Sequence, residues 1–421
     1  MCYKREKNVL YFKNHETMMV LTRGELLNIM NNAQRSTLRY AQHMEEYRQI
    51  LMADYGAIAE IPDLLRENGL KRALLLSGRT TQKLHLYDNL AESIRETGAR
   101  CFVHAGISSM PTTEMIEKSV AIYHEFNCDC IIAFGGGSVI DAAKLIGAKI
   151  ANPKQSFYQM AGVGNIKNNT PPIIAVATTG CGTESSGFAI LRDNDRTRCF
   201  NSGKLLPFAV VLDPDLSLRL PNEVLAVAGM TALTHAVEAY ISTFSSSFPA
   251  DSSNSLVAVP LLLTYLEPAY KKGITPEMNM QPLMAPYYAG VAYRRIGFGY
   301  THAFAMALSD KYGLAYGEVC AALFPEILNF QKDVVGDKLA KLANIAHLCS
   351  PRASTEEAAD AFIEGTRRLS KKMNLSSSFK DLKREDYNGI IELTFLEAKC
   401  FGVSKKMTSK AAEVLLDTIK A

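Results

Sequence analysis

The chain has 421 residues, 48% apolar and 21% charged, with 46 basic and 43 acidic side chains. That length suits two domains, and the composition describes a globular protein with a substantial core. The signs of charge interleave and leave a net +3 without any basic block, which argues against nucleic acid as a partner.

No apolar run reads as long enough to span a bilayer, and "MCYKREKNVLYFKNHE" lacks the apolar stretch and cleavage site of a secretory leader, so no membrane association is expected. Nine cysteines without a paired framework read as thiols of a reducing, cytoplasmic setting. Cys128 and Cys130, in a C-D-C before a strand, read as small, partly buried side chains rather than a redox or metal pair.

In chain order, residues 1–52 read as an N-terminal helical extension. "RGELLNIMNNAQRSTLRYAQHMEEYRQILM" (23–52) spaces its apolar residues as a helix does. Strand and helix then alternate over 53–215. "KRALLLSG" (71–78), "RCFVHAG", "CDCIIAFGGG" (128–137) and "PPIIAVATT" (171–179) read as buried strands, separated by helices over 86–99, 112–127 and 138–152. Apolar runs rather than half-polar strands imply a parallel sheet covered on both faces, a Rossmann-like dinucleotide-binding α/β domain. "LPFAVVLDPDL" reads as the hinge, and residues 216–421 read as an all-helical domain. There is no internal repeat.

In "CIIAFGGGSVIDAAKLIGA" a buried strand stops at Gly135, Gly136 and Gly137, and a helix begins at or just after Ser138, with Asp141 and Lys144 in its first turns. Glycine lets the backbone approach a ligand, and a helix N-terminus offers free N–H groups and a positive dipole end. The turn suits a pyrophosphate, although it is not G-x-G-x-x-G. "VATTGCGTESSGFAIL" (176–191) puts Thr178, Thr179, Gly180, Gly182 and Thr183 at the carboxyl end of the next strand, where open α/β sheets bind ligands. In the helical half, "GMTALTHAVEAY" (229–240) sets His235 alone on an apolar helix. By itself it is either half a metal site or a tolerated histidine.

These segments resemble the iron-type alcohol dehydrogenases of the dehydroquinate synthase-like superfamily. The family turn GGGSxxDxAK is matched by Gly135, Gly136, Gly137, Ser138, Asp141 and Lys144, and its loop PTTxGTGSE appears shortened as "ATTGCGTES". "GMTALTHAVEAYIS" and "AGVAYRRIGFGYTHAFAMALSDKYGLAYGEVCAALFP" (289–325) match its helical motifs, and the likeness runs from about residue 52 to the C-terminus. The resemblance implies NAD or NADP in the cleft between the domains, a small-molecule alcohol or carbonyl substrate, a homo-oligomer, and four ligands to a divalent metal, usually iron or zinc.

Carried over position by position, those ligands fall on Thr231, His235, His302 and Tyr316, with Met306 at a further family histidine. Thr and Tyr donate poorly to a divalent ion at neutral pH, so no metal is expected there. His235, His302 and Tyr316 remain as candidate catalytic residues; the family's maleylacetate reductases likewise replace the acidic ligand and work without metal. Where many members place an Asp against the adenosine ribose, this chain has Gly78 and Arg79, which leans toward NADP. His104, His124 and His347 have no partners at ligand spacing. Two functional readings stay open: a metal-free oxidoreductase, or a catalytically silent homologue kept for assembly or regulation.

Overall fold

The computed structural model describes residues 9–14, 17–22, 49–107, 110–193, 196–278 and 280–421. The segment 9–22 forms an antiparallel hairpin of β1 (Val9–Asn14) and β2 (Thr17–Thr22), with Val9 opposite Thr22 and Asn14 opposite Thr17. The helical expectation for residues 1–52 fails here, because these short runs find a ladder partner. Residues 23–48, the bulk of the expected helix, lie outside the described residues.

From Gln49 onward a second unit begins. Its first element is β3 (Ile50–Ala53), so positions 50–52 are strand rather than the end of a helix. Next come α1 (Ile61–Glu67), β4 (Arg72–Gly78), α2 (Arg79–Lys83), α3 (Asp88–Glu96), β5 (Arg100–Ile107), α4 (Thr113–Glu125), β6 (Cys130–Gly135), α5 (Gly137–Ala151) and α6 (Phe157–Met160). After β7 (Gly162–Val163) and β8 (Ile173–Ala177), a hairpin of β9 (Phe188–Asp193) and β10 (Arg196–Asn201) leads to β11 (Ala209–Leu212) and α7 (Pro214–Ser217).

Six strands form one parallel sheet in the order β3-β11-β8-β6-β4-β5. Every residue of β6, β8 and β11 is buried, as expected where helices cover both faces. The strands β7, β10 and β9 make a second, smaller sheet that the sequence reading missed. Charged residues in "FAILRD" and "RTRCFN" mask its pattern. Arg198 pairs with Asp193 at 2.7 Å across the hairpin, and Arg196 reaches Glu397 at 2.5 Å.

Beyond α7 the elements are helical: α8 (Asn222–Ile241), α9 (Pro249–Ser252), α10 (Ser255–Lys272), α11 (Gln281–Tyr293), α12 (Tyr300–Tyr312), α13 (Tyr316–Ile345), α14 (Thr355–Lys372), α15 (Tyr387–Ala398) and α16 (Ser409–Thr418). Contrary to the sequence reading, α8 is long and apolar enough to cross a membrane by composition. In the fold it is 78% buried, packed on α10, α11 and α13, as the central helix of a protein core. Around α12 a cluster including Phe298, Phe304, Leu308 and Leu323 fills the helical core.

Candidate active site

At the carboxyl end of β6 the backbone passes through Gly135 into α5, which begins at Gly137. Gly136, Gly137 and Ser138 are partly exposed, so the first turn of α5 presents its amide end to the surface. Gly137 is also required by packing, since a Cβ there would lie 2.8 Å from the Cys181 sulfur. Thr179, buried, sets its hydroxyl beside Gly136 from the next strand's loop, and the Thr178 amide donates to the Gly135 carbonyl at 3.1 Å. Gly78 closes the end of the neighbouring β4 against Val139, and Arg79 is exposed at the start of α2.

Asp141 and Thr183, expected at the cofactor, are hydrogen-bonded to each other. The Thr183 hydroxyl donates to Asp141 at 2.5 Å, and the Ile190 amide donates to the other carboxylate oxygen at 3.2 Å. Lys144 is fully buried; its ammonium donates to the Thr183 carbonyl (2.6 Å), the Thr183 hydroxyl (3.0 Å) and the Phe188 carbonyl (2.6 Å). These side chains brace the loop against α5. On its other side the loop is held to α11, where Ser185 donates to the Tyr287 carbonyl at 2.7 Å and Ser186 donates to the Tyr293 hydroxyl at 2.9 Å. Glu184, unnoticed in the sequence, is wholly buried and accepts the Gly182 amide at 3.0 Å; burial raises its carboxyl above the usual range.

His235 lies on α8 beneath this loop and donates from Nδ1 to the Cys181 carbonyl at 2.9 Å. A carbonyl only accepts, so Nδ1 carries the proton and Nε2 the lone pair. Burial, reinforced by the nearby His302 ring, holds His235 well below the usual histidine range. His302, on α12 and fully buried, donates from Nδ1 to Glu238 at 2.6 Å. The same carboxylate accepts the Gly299 amide at 2.7 Å and the Thr301 amide at 2.8 Å. The two imidazoles stack with centroids 4.5 Å apart and planes 13° apart, and Phe298 stacks on both.

Tyr316, the first residue of α13, stands with its ring centroid 5.8 Å from that of His302. Its hydroxyl oxygen and the His302 Nε2 are buried and have no hydrogen-bond partner among the described residues. Burial pushes the phenol well above its usual range, so it stays protonated. Thr231 donates its hydroxyl to the Val227 carbonyl at 2.8 Å and packs against Gly317, where an added Cβ would come within 2.7 Å of it. Met306 is buried in the helical core.

The fold thus brings His235, His302, Tyr316 and Thr231 together. It joins them to the glycine turn through Cys181, whose carbonyl holds His235 and whose sulfur abuts Gly137. Glu238 and Phe298 were not singled out from sequence. Glu238 stands one turn beyond His235, but its partners lie more than 60 residues away.

Comparison with known proteins decides the family. The profile of the iron-containing alcohol dehydrogenases matches residues 49–214, and that of the C-terminal domain of the Fe-containing alcohol dehydrogenase family matches residues 225–419. The chain belongs to the iron-containing alcohol dehydrogenase family. It is 28% identical over 337 residues to an NAD-dependent methanol dehydrogenase of Bacillus methanolicus, covering 79% of this chain and 87% of that one. It is 29% identical to a 1,3-propanediol dehydrogenase of Klebsiella pneumoniae, covering 83% and 92%. Among solved structures, an alcohol dehydrogenase from Oenococcus oeni superposes with a TM-score of 0.83 at 26% identity, covering 88% of this chain and 98% of that one.

Proposed function

We propose that this family member is a nicotinamide-dependent oxidoreductase that interconverts a small alcohol and its aldehyde or ketone without a bound divalent metal. The observation that carries the reading is the pair of buried, unpartnered polar atoms, His302 Nε2 and the Tyr316 hydroxyl, on neighbouring rings whose centroids lie 5.8 Å apart. An oxygen between them would meet an acceptor for its proton and a phenol that donates to it.

The family's metal does not fit these residues. Two hydroxyls stand at ligand positions; the Tyr316 phenol keeps its proton, and the Thr231 hydroxyl is engaged with Val227. No carboxylate remains among the four to offset a cation's charge. That leaves two imidazoles as ordinary donors, short of the three protein ligands typical of a catalytic zinc site.

The glycine turn does fit a dinucleotide, with an open amide end on α5 and no side chain at Gly136 or Gly137. When bound, a nicotinamide supplies or takes up the hydride. The chain's own residues handle the oxygen. His302 takes the alcohol proton on Nε2 while Glu238 holds the opposite nitrogen and balances the positive ring. Tyr316 donates to the same oxygen, and neutral His235, fixed by Cys181, forms the wall shared with the cofactor loop. Exposed Arg79 beside Gly78 supports NADP over NAD, through the 2′-phosphate. The free thiols among the described cysteines support a reducing, cytoplasmic setting.

The test is turnover of an aldehyde panel with NADH and with NADPH, in the presence and absence of a chelator. Turnover that survives chelation supports the reading, and chelator-sensitive turnover overturns the metal-free part. Dinucleotide binding without turnover on any substrate favours a silent homologue.

A further inference from the structure

We propose that Lys144 is a positioning residue whose buried ammonium staples both ends of the 183–188 segment to α5 and so sets where the glycine turn and His235 stand relative to each other. The inference rests on the dehydrogenase reading for its consequence, and on the hydrogen-bond geometry for its substance.

All three ammonium hydrogens have acceptors: the Thr183 carbonyl and hydroxyl at one end of the segment, and the Phe188 carbonyl at the other. Asp141, one turn earlier on α5, takes the same Thr183 hydroxyl and the Ile190 amide. Two residues before Thr183, Cys181 gives its carbonyl to His235 and lays its sulfur over Gly137. A shift of this loop would therefore move the wall of the cofactor turn and the anchor of a site histidine together. Charge-assisted hydrogen bonds of this kind are roughly twice as strong as neutral ones.

The staple is also linked to protons. Asp141 on its own helix, Cys181 and Glu184 in the loop, and His235 on α8 are the titratable groups facing Lys144. Burial, partly offset by Asp141, brings Lys144 down to about 8 from its ordinary 10.5. An open loop that wets Lys144 restores the ordinary value, so opening takes up a proton between those limits. Rising pH across that window therefore favours the closed loop, and below it the opening is insensitive to pH.

The experiment is hydrogen exchange of the 182–190 amides in the full-length protein without cofactor, corrected for intrinsic base catalysis, paired with NADH and NADPH titrations. The wild-type opening constant is expected to be flat near pH 7 and to fall by up to about tenfold per pH unit above pH 8. Lys144→Met should raise opening at neutral pH, abolish that slope and weaken dinucleotide binding. Thr183→Val, which removes the shared hydroxyl while leaving Lys144 buried, should raise opening and keep the slope, and Thr183→Ser should restore protection. Opening of the 182–190 segment that Lys144→Met leaves unchanged at neutral pH, or wild-type dinucleotide affinity that Lys144→Met leaves unchanged, would overturn the proposal. If exchange behaves as expected but neither dinucleotide binds, the staple stands and the dehydrogenase reading falls.

Discussion

His302 donates its Nδ1 proton to Glu238 at 2.6 Å, and that carboxylate simultaneously accepts the two backbone amides that open α12. One buried acid thus fixes both the ring of a site histidine and the entry of the helix that carries it. Gly299 is part of the arrangement, because a Cβ there would sit 2.7 Å from the Glu238 carboxyl carbon. Replacing Glu238 with Ala leaves three buried donors unpaired and should cost about 2–4 kcal/mol of stability. Urea denaturation at neutral pH checks this, and a loss under about 0.5 kcal/mol would show that solvent takes over the acceptor role.

Tyr316→Phe separates chemistry from folding. The phenol oxygen has no partner, so its removal should leave stability within about 0.5 kcal/mol of wild type. If it donates to the reacting oxygen, kcat should fall about a hundredfold with KM little changed. Unchanged turnover would remove Tyr316 from the chemistry.

Metal dependence can be read without a substrate. Elemental analysis of protein purified without added metal should find far less than one iron or zinc per chain, and prolonged chelation should leave thermal stability unchanged. Stoichiometric metal whose removal by chelation lowers thermal stability would overturn the metal-free reading.

The approach of α11 to the loop around Gly182 makes a sharp steric prediction. A Cβ at Gly290 would lie 1.9 Å from the Gly182 carbonyl oxygen and 2.0 Å from the Ser185 hydroxyl. Gly290→Ala should therefore destabilise by about 3 kcal/mol and weaken dinucleotide binding as the loop is pushed aside. Gly389, exposed in α15 with open space around its Cα, is the control. Its change to Ala should stabilise by about 0.5–1 kcal/mol. Paired thermal melts of the two variants check both signs.

The parallel sheet was legible because strands covered on both faces must be continuously apolar, and "ALLLS", "IIAF" and "IIAVA" are. The β9–β10 hairpin was not, since its arginines find carboxylate partners that only the fold supplies. Nor was β3, a four-residue strand defined by its pairing with β11 some 160 residues later. At the site, His235 and His302 stood out as chemistry-bearing residues in matching motifs. The hydrogen bond between Asp141 and Thr183, 42 residues apart, was not legible in their local motifs.

By itself the sequence determined the alternation of strand and helix and the glycine turn, because residue identity and local spacing suffice for each. The tertiary structure alone decided that the two histidine rings lie 4.5 Å apart, that Glu238 orients one of them, and that Lys144 braces the loop against α5. Those are relations between side chains brought together by packing across dozens of residues, and no local pattern in the chain encodes a distance or a ring plane.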